Sequence, residues 1–473
     1  MAKFDTNVQE LKYKVLKEIA KNSWNGTLLE NYSMIPSLII PGPKPSMRCC
    51  IYKERAIVLE RMKMAQGGDK NNPNIVEVIK VACDECPVGG YQVTSSCRGC
   101  IAHRCEKACH KSAISFDAKT RMAVIDKSKC INCGLCAKAC QYQAIMDFKR
   151  PCESACQVKA ISMGEDFAAN INEEKCIRCG HCVSQCPFGA IMDKSYITDV
   201  IEMIKSSNYS KNEHIYAVVA PSISSQFKYA TLGQVISAIK ELGFYSVVEA
   251  ALGADMVSFS EAKELSEKGT LTSSCCPAFV TLIHKNYPNL KDSISHNMSP
   301  MATIAKYIKS VDTTSKVIFI GPCIAKKDEL HKENVSKYVD SVLTFEELQA
   351  LIDSKEIDAS KLEESKLDNA SYYGRIFARS GGLSDAVKEA IKEQNLDFTL
   401  KPIIADGIVN CKSALNKFTL KDSSVNFIEG MACISGCIGG PCCLTHEIRD
   451  KTEVDKYGQE AKEKTIQDAI KIL

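Results

Sequence analysis

The sequence predicts three consecutive parts: a helical lead-in, a cysteine-rich α+β region, and a larger α/β domain. Three observations carry this. Apolar residues in the first 80 positions fall at helical spacing. Between residues 81 and 195 one short cysteine unit recurs with the same tail. After Asp193, short apolar strand-like runs alternate with helical patterns, the mark of an α/β layer. The expected boundaries are 1–80, 81–195 and 196–473.

In the lead-in, Leu11, Val15, Leu16 and Ile19 share one helical face. The PGPKPS stretch, Pro41–Ser46, breaks the chain, and a charged helical pattern follows from Lys53 to Ala65. The QGGDKNNPN loop, Gln66–Asn74, reads as a boundary. The adjacent Cys49 and Cys50 lack ligand spacing and read as ordinary thiols.

Composition narrows the function. The 60 basic and 57 acidic residues nearly cancel, giving a net charge of +3, which argues against a nucleic-acid binder. Cysteine is the outlier, at 26 of 473 residues. Dense disulfides belong to small domains of oxidising compartments. The N-terminus is polar and amphipathic, with no apolar signal core or twin-arginine pair, and no apolar run is long enough for a membrane span. A cytoplasmic protein is expected, in which clustered thiols bind metal.

The repeat is Cys-x3-Cys followed after three residues by Ala-Ile. It occurs as CEKACHKSAI from Cys105, CAKACQYQAI from Cys136, CESACQVKAI from Cys152 and CVSQCPFGAI from Cys182. Two units complete C-x2-C-x2-C-x3-C runs: Cys130, Cys133, Cys136, Cys140, and Cys176, Cys179, Cys182, Cys186. This is the bacterial ferredoxin signature, in which three cysteines hold one [4Fe–4S] cube and the fourth reaches the other. Applied here, Cys130, Cys133, Cys136 and Cys186 hold one cube, and Cys176, Cys179, Cys182 and Cys140 its partner. Eight further cysteines suffice for two more cubes. The same swap gives Cys97, Cys100, Cys105 with Cys156, and Cys83, Cys86, Cys152 with Cys109. A zinc site from Cys83, Cys86, Cys97 and Cys100 competes on spacing; the ferredoxin tails at Cys105 and Cys152 favour iron. His103, His110 and His181 are expected at the surface or beside the clusters, since every cube has four sulfurs.

In the last part, His214–Val219 and Lys316–Ile320 read as buried strands, and Leu232–Leu242, Asp255–Lys268 and Leu383–Glu393 as helices. Thr452–Leu473 is expected to form a charged terminal helix. Three late cysteine loops follow apolar segments: TSSCCPAFV from Thr272, GPCIAKKDE from Gly321 and EGMACISGCIGGPCC from Glu429. Cys276, Cys323, Cys433 and Cys437 can complete a fifth cube. Gly436, Gly439 and Gly440 let backbone approach a bulky ligand.

In their order and separation, these loops resemble the three signature loops of the [FeFe]-hydrogenases, and the likeness runs over roughly residues 81–445. The resemblance implies an α/β catalytic domain of the iron-only hydrogenase type, preceded by ferredoxin-like modules. It also implies an H-cluster: the cube at Cys276, Cys323, Cys433 and Cys437, joined through Cys437 to a two-iron unit carrying CO, CN⁻ and azadithiolate. Lys326 matches the lysine that hydrogen-bonds a cyanide, with Glu329 a suitable partner. Ala220-Pro221-Ser222 matches the loop donating to the other cyanide, and Met431 and Phe377 match the apolar wall. Cys275 matches the thiol that passes protons to the bridging amine, and Glu261, Ser295 and Glu264 match the outer relay. Gly321, Met301, Ala278-Phe279 and the GGPCC ending depart from the usual pattern and mark a divergent branch. Cys411, Cys442 and Cys443 are left without a ligand role.

The resulting expectation is a hydrogenase acting on H₂ and protons. Four accessory [4Fe–4S] clusters would relay electrons to a ferredoxin-like carrier, and dedicated maturation enzymes would load the site. A hydrogen sensor or a non-catalytic iron–sulfur member of the superfamily is the alternative. A plain polyferredoxin leaves the α/β half unexplained.

Overall fold

A computed structural model describes residues 3–420 and 424–471. The C-terminal part is built on two parallel sheets. In the larger, Ser246–Glu249, Ile215–Val219, Lys316–Gly321 and Ser341–Thr344 lie side by side in that order. In the smaller, Phe427–Met431 lies between Leu271–Thr272 and Pro402–Asp406. The strands are near-continuous apolar runs, as parallel strands covered on both faces require. Val218, Ile318, Ile320, Phe427 and Ile428 are all fully buried.

Register aligns the strand ends. Val219 pairs with Ile320, Thr272 with Ile428, and Asp406 with Met431. The loops leaving Val219, Thr272, Gly321 and Met431 therefore emerge at the carboxyl ends of parallel strands, where open α/β sheets place their ligands.

The cysteine-rich region forms two small modules, each with short antiparallel strand pairs. Val76–Val78 pairs with Ile191–Asp193, and Ile161–Met163 with Ala169–Ile171, in an inner module. Gly90–Val93 pairs with Ile145–Phe148, and Ile114–Phe116 with Ala123–Ile125, in an outer one. The outer module is thus an insertion inside the inner one, leaving after Cys86 and returning before Cys152.

The lead-in helix spans Asn7–Asn25, and the Thr6 hydroxyl caps it by accepting the Gln9 N–H at 3.2 Å. Its buried Val15, Leu16 and Ile19 join the same core as Ile215, Leu348 and Leu351 of the large domain, and the helix packs on Phe345–Ser354. The lead-in is therefore part of the α/β core and not an appendage. Buried charges sew the parts together. Lys12 Nζ lies 2.5 Å from Asp193 and 2.6 Å from Glu346. Lys327 Nζ lies 2.8 Å from Asp193 and 2.9 Å from Glu347.

Two expected helices differ. The one expected at Asp255–Lys268 begins at Ala250, where Gly253 lets the backbone approach Pro300 so closely that a Cβ would sit 2.2 Å from its carbonyl. The terminal helix is two helices, Asp450–Gln459 and Ile466–Ile470. Lys464 closes the first by donating to the Gln459 carbonyl at 2.7 Å, and Thr465 caps the second through the Asp468 N–H. The last two residues of that expectation lie outside the described residues. No helix among the described residues is long and apolar enough to cross a membrane.

Candidate metal centre and proton path

The three late loops and the loop after Val219 converge on one cavity with ≈ 810 Å³ of atom-free space. Its wall includes Ala220, Pro221, Cys275, Cys276, Cys323, Lys326, Phe377, Met431, Cys433 and Cys437. Cys276 is the N-cap of the helix Pro277–Asn286, and Cys323 that of Ile324–Glu329. Both thiols thus stand at helix N-termini, where the peptide dipoles favour an anionic group. Pro277 takes the first helical position, where its missing N–H costs nothing. Gly436 has φ +85°, and a Cβ there would lie 2.8 Å from the Ala378 carbonyl. A Cβ on Gly440 would lie 2.7 Å from that of Pro322. These glycines fold the chain back so that Cys433 and Cys437 face Cys323.

The four thiols act on one another. Burial pushes Cys433 well above its ordinary value, reinforced by Cys323, Cys276 and Cys437. Burial likewise raises Cys323 to about 12, with Cys276 and Cys437 adding to the shift. Cys437 carries accessible surface and lines the cavity. Four converging thiols at two helix N-termini fit a four-sulfur metal cluster.

Lys326 is buried in the wall. Its Nζ lies 2.6 Å from Glu329 Oε2 and 3.3 Å from the Cys275 carbonyl. Burial alone would lower its pKa, but the Glu329 carboxylate outweighs that and raises it, so the ammonium stays charged. Ser222, expected beside Ala220 and Pro221, is fully buried but is not part of the wall; its Oγ has no hydrogen-bond partner. Met301 and Phe319 join the wall. Phe319 reaches it because Gly321 has no side chain: a Cβ there would meet the Phe319 ring at 2.6 Å. Phe279 lies against Gly430 in the same way, at 2.2 Å.

Glu261 lies behind Cys275 on the helix Ala250–Lys268, fully buried, with neither carboxylate oxygen hydrogen-bonded. Burial raises its pKa to about 8, tempered by the nearby Ser295 hydroxyl. Cys275 is pushed up by burial and then by Glu261, which places the two in electrostatic contact. Ser295 Oγ donates to Glu264 Oε2 at 3.0 Å, one helical turn from Glu261. Against the cost of partial burial, Lys268 at 2.7 Å, the His296 N–H and Ser295 hold Glu264 below its ordinary pKa. His296 is largely exposed. Cys275, Glu261, Ser295 and Glu264 therefore form a line from cavity to surface. Asn297 belongs to it, donating through Nδ2 to Glu264 at 2.9 Å and Ser295 at 3.1 Å. The i,i+4 spacing of Lys268 from Glu264 could have flagged the lysine; no local pattern marks Asn297.

The sixteen cysteines from Cys83 to Cys186 assemble as four sets of four, but not the sets expected. Cys109, Cys130, Cys133 and Cys136 line one cavity. Cys105, raised by burial, is further influenced by Cys140 and Cys100, and Cys97 packs in the same cluster. Cys152, raised by burial to about 12, neighbours Cys186, Cys83 and Cys86. Cys182, raised by burial, neighbours Cys179, Cys176 and Cys156. The swap rule holds within each module and not between them. Cys130, Cys133 and Cys136 are completed by Cys109 instead of Cys186, and Cys97, Cys100 and Cys105 by Cys140 instead of Cys156. Cys83, Cys86 and Cys152 are completed by Cys186 instead of Cys109, and Cys176, Cys179 and Cys182 by Cys156 instead of Cys140. The inserted outer module pairs its own strands, which keeps its eight cysteines to itself.

Cys179 acts on both Cys433 and Cys276 of the cavity. Gly180 packs against Ile324 and Pro441, where a Cβ would lie 2.6 and 2.9 Å from them. The set with Cys156 is therefore the one facing the cavity. His103 pairs with Glu106 and stacks on Phe116, away from any ligand role. Cys411 donates to the Ala405 carbonyl and Cys443 to that of Ile438, as buried structural thiols do.

Residues 213–441 match the family described as iron only hydrogenase large subunit, C-terminal domain. Residues 146–197 match the LdpA Fe-S cluster-binding domain and 123–146 a 4Fe-4S binding domain. The chain is 29% identical over 383 residues to iron hydrogenase 1 of Clostridium pasteurianum, covering 68% of this chain and 65% of that protein. It is 28% identical over 380 residues to the periplasmic [Fe] hydrogenase large subunit of Nitratidesulfovibrio vulgaris, covering 68% and 86%. Over 267 residues it is 24% identical to a probable cytosolic Fe-S cluster assembly factor of Anopheles gambiae, covering 44% and 56%. The chain thus spans just under two thirds of the clostridial relative.

Proposed function

Starting from its place as a divergent member of the [FeFe]-hydrogenase-like family, we propose that this chain is an iron-only hydrogenase that interconverts H₂ with protons and electrons. The observation that carries the proposal is the line Cys275, Glu261, Ser295, Glu264. It leads from the wall of a four-thiol cavity to the surface through groups that each hold or pass a proton.

In this reading Cys276, Cys323, Cys433 and Cys437 would hold the iron–sulfur part of an H-cluster, and the same cavity would take its two-iron unit. When bound, that group supplies the metal at which the H–H bond is made or broken. The Lys326 ammonium, fixed by Glu329 and the Cys275 carbonyl, provides a charged donor in an otherwise apolar wall. Phe377, Met431, Met301 and Phe319 exclude bulk water. Ala220 and Pro221 would face the group directly, while Ser222 lies buried outside the wall. Cys275 Sγ takes up or releases a proton at the cavity and exchanges it with Glu261, the Ser295 hydroxyl and then Glu264. The four sets of thiols in residues 81–195 hold accessory [4Fe–4S] clusters that carry electrons to a ferredoxin-like carrier. Residues 196–473 form the catalytic domain behind the 1–80 lead-in, the chain works in the cytoplasm, and the family's maturation enzymes load it.

The likeness to assembly factors favours a second reading, a protein that holds iron–sulfur clusters without acting on H₂. Such a protein has no need of a proton path. Infrared spectra of protein produced with the maturation enzymes separate the two. Bands of metal-bound CO and CN⁻ are expected with roughly 22 irons per chain, counting four for each of five cubes and two for the two-iron unit. Cys275→Ala should retain those bands and lose most turnover. Absence of the bands in the unsubstituted protein rejects the proposal.

A further inference from the structure

The thiol set Cys83, Cys86, Cys152 and Cys186 differs from the others in what closes over it. Arg150 is buried, with Nη1 3.9 Å from Cys83 Sγ and Nη2 donating to the Phe167 carbonyl at 2.6 Å. Arg61, 2% exposed, donates through Nη2 to the carbonyls of Phe188 at 3.0 Å and Gly189 at 3.2 Å, on the turn that follows Cys186. Arg48 donates to the Ala82 carbonyl at 3.0 Å, next to Cys83, and lies 4.8 Å above the Phe188 ring. Three guanidinium groups from separate segments thus meet at one four-sulfur set.

Two of them have no counter-charge. Arg61 Nε and Nη1 and Arg150 Nε lack any hydrogen-bond partner, and among the described residues neither side chain has a carboxylate within ion-pair distance. Arg48 is partly compensated, with Asp84 at 3.7 Å and Glu85 at 3.6 Å. Glu54, the other carboxylate here, accepts the N–H groups of Ser46 at 2.8 Å, Met47, and Arg48 at 2.7 Å. Glu153, beside Cys152, adds a negative charge at the thiols, as do Asp84 and Glu85 between Cys83 and Cys86.

Among the described residues the other sets have no buried guanidinium without a carboxylate partner. Arg178, near Cys176, is paired with Asp328 and with Glu173 at 3.6 Å. Arg98, Arg104 and Arg121 of the outer module are exposed. A buried guanidinium without an anion is strongly unfavourable, so Arg61 and Arg150 point to an anion at the thiols. A thiolate-bound iron–sulfur cube is such an anion. Local charge and hydrogen bonds to sulfur are among the factors that set its potential, and nearby cations favour its reduced, more negative form.

We propose that Arg61 and Arg150 make the Cys83/Cys86/Cys152/Cys186 cluster the first in the chain to accept an electron. It becomes a holding position one step behind the cluster that faces the catalytic cavity. The placement follows from Cys152 neighbouring Cys182, whose set in turn neighbours Cys276 and Cys433. The inference rests on the accessory sets holding [4Fe–4S] clusters. Oxidation of one H₂ releases two protons and two electrons. The first electron reduces this cluster by one unit; the second reduces the cavity-facing cluster and follows once the first has moved through the outer module to the carrier.

The test is an anaerobic redox titration of the iron-loaded full chain, followed by electron paramagnetic resonance. Iron analysis comes first: fewer than roughly 16 accessory irons refutes the four-cluster reading and not the order of reduction. With the irons present, one signal should form ahead of the rest. Arg150→Met should lower its midpoint by at least a tenfold change in the reduced-to-oxidised ratio, about 59 mV for a one-electron couple. Arg150→Lys should restore most of that, and the other signals should not move. Cys152→Ala provides an independent arm, valid even if Arg150→Met fails to load. It should abolish the first signal and no signal of the outer module. A first signal that survives Cys152→Ala, or a loaded Arg150→Met protein with the original midpoint, overturns the proposal.

Discussion

Replacing Glu261 by glutamine tests the proton path at its most buried member. The carboxyl is fully enclosed, neither oxygen is hydrogen-bonded, and its pKa is raised to about 8. Glutamine keeps the shape and is neutral at every pH. Between the unfolded carboxylate value and about 8, the folded protein binds the proton that the unfolded chain has released. Stability therefore falls as pH rises through that window. At about 1.4 kcal/mol per pH unit, the unsubstituted protein should lose on the order of 4 kcal/mol between about pH 5 and 8 from this group. Glu261→Gln should lose none of that. The direct assay is the infrared carboxylic-acid stretch: a band that titrates near pH 8, absent in Glu261→Gln. Chemical denaturation at the two pH values gives the stability difference. Turnover should fall about 10²- to 10⁴-fold, the usual contribution of a positioned proton-transfer group. No titrating band, or near-normal turnover in the variant, refutes the relay.

Three further outcomes follow from the same geometry. Lys12→Met leaves Glu346 buried without its cation and Asp193 with Lys327 alone, and should cost about 3–5 kcal/mol in denaturant unfolding. Burial alone would raise Asp193, yet Lys12 and Lys327 hold it below the ordinary carboxylate range. That part of the stability is present at neutral pH and lost as pH falls, so the variant should show a weaker acid transition. Cys140→Ala should remove the cluster held by Cys97, Cys100 and Cys105, lowering iron content by roughly four, and leave the clusters of the inner module spectroscopically intact. Gly436→Ala forces a Cβ to 2.8 Å from the Ala378 carbonyl at φ +85° and should displace Cys437. The readout is loss of the cavity's metal with accessory iron retained.

Much of the site is legible in short stretches of chain because its chemistry is local. Cys433 and Cys437 share one loop, Cys275 and Cys276 are neighbours, and Lys326 lies one turn from Cys323 and one turn before Glu329. Helical spacing likewise places Glu261 and Glu264 on one face, with Lys268 a turn beyond. Each of these relations spans four residues or fewer, so backbone geometry fixes it before any tertiary contact forms. Ser222 shows the limit: the order Ala220-Pro221-Ser222 says which residues share a turn, but not which side chain the turn sends into the cavity.

The sequence by itself determined that sixteen cysteines form four-sulfur sets, that the late loops supply one more, and that the frame is α/β. Those are matters of spacing and periodicity. Which cysteine completes each set was decided only by the tertiary structure. Cys83 and Cys86 stand more than sixty residues from Cys152, and only the pairing of Gly90–Val93 with Ile145–Phe148 folds the outer module out of the way and brings them together. The same holds for Arg48, Arg61 and Arg150. No spacing relates three arginines on separate segments, and their meeting over one thiol set follows from packing the lead-in helices against the inner module. A ligand's identity is a short-range property of the chain; its partner, and the charge around it, belong to the fold.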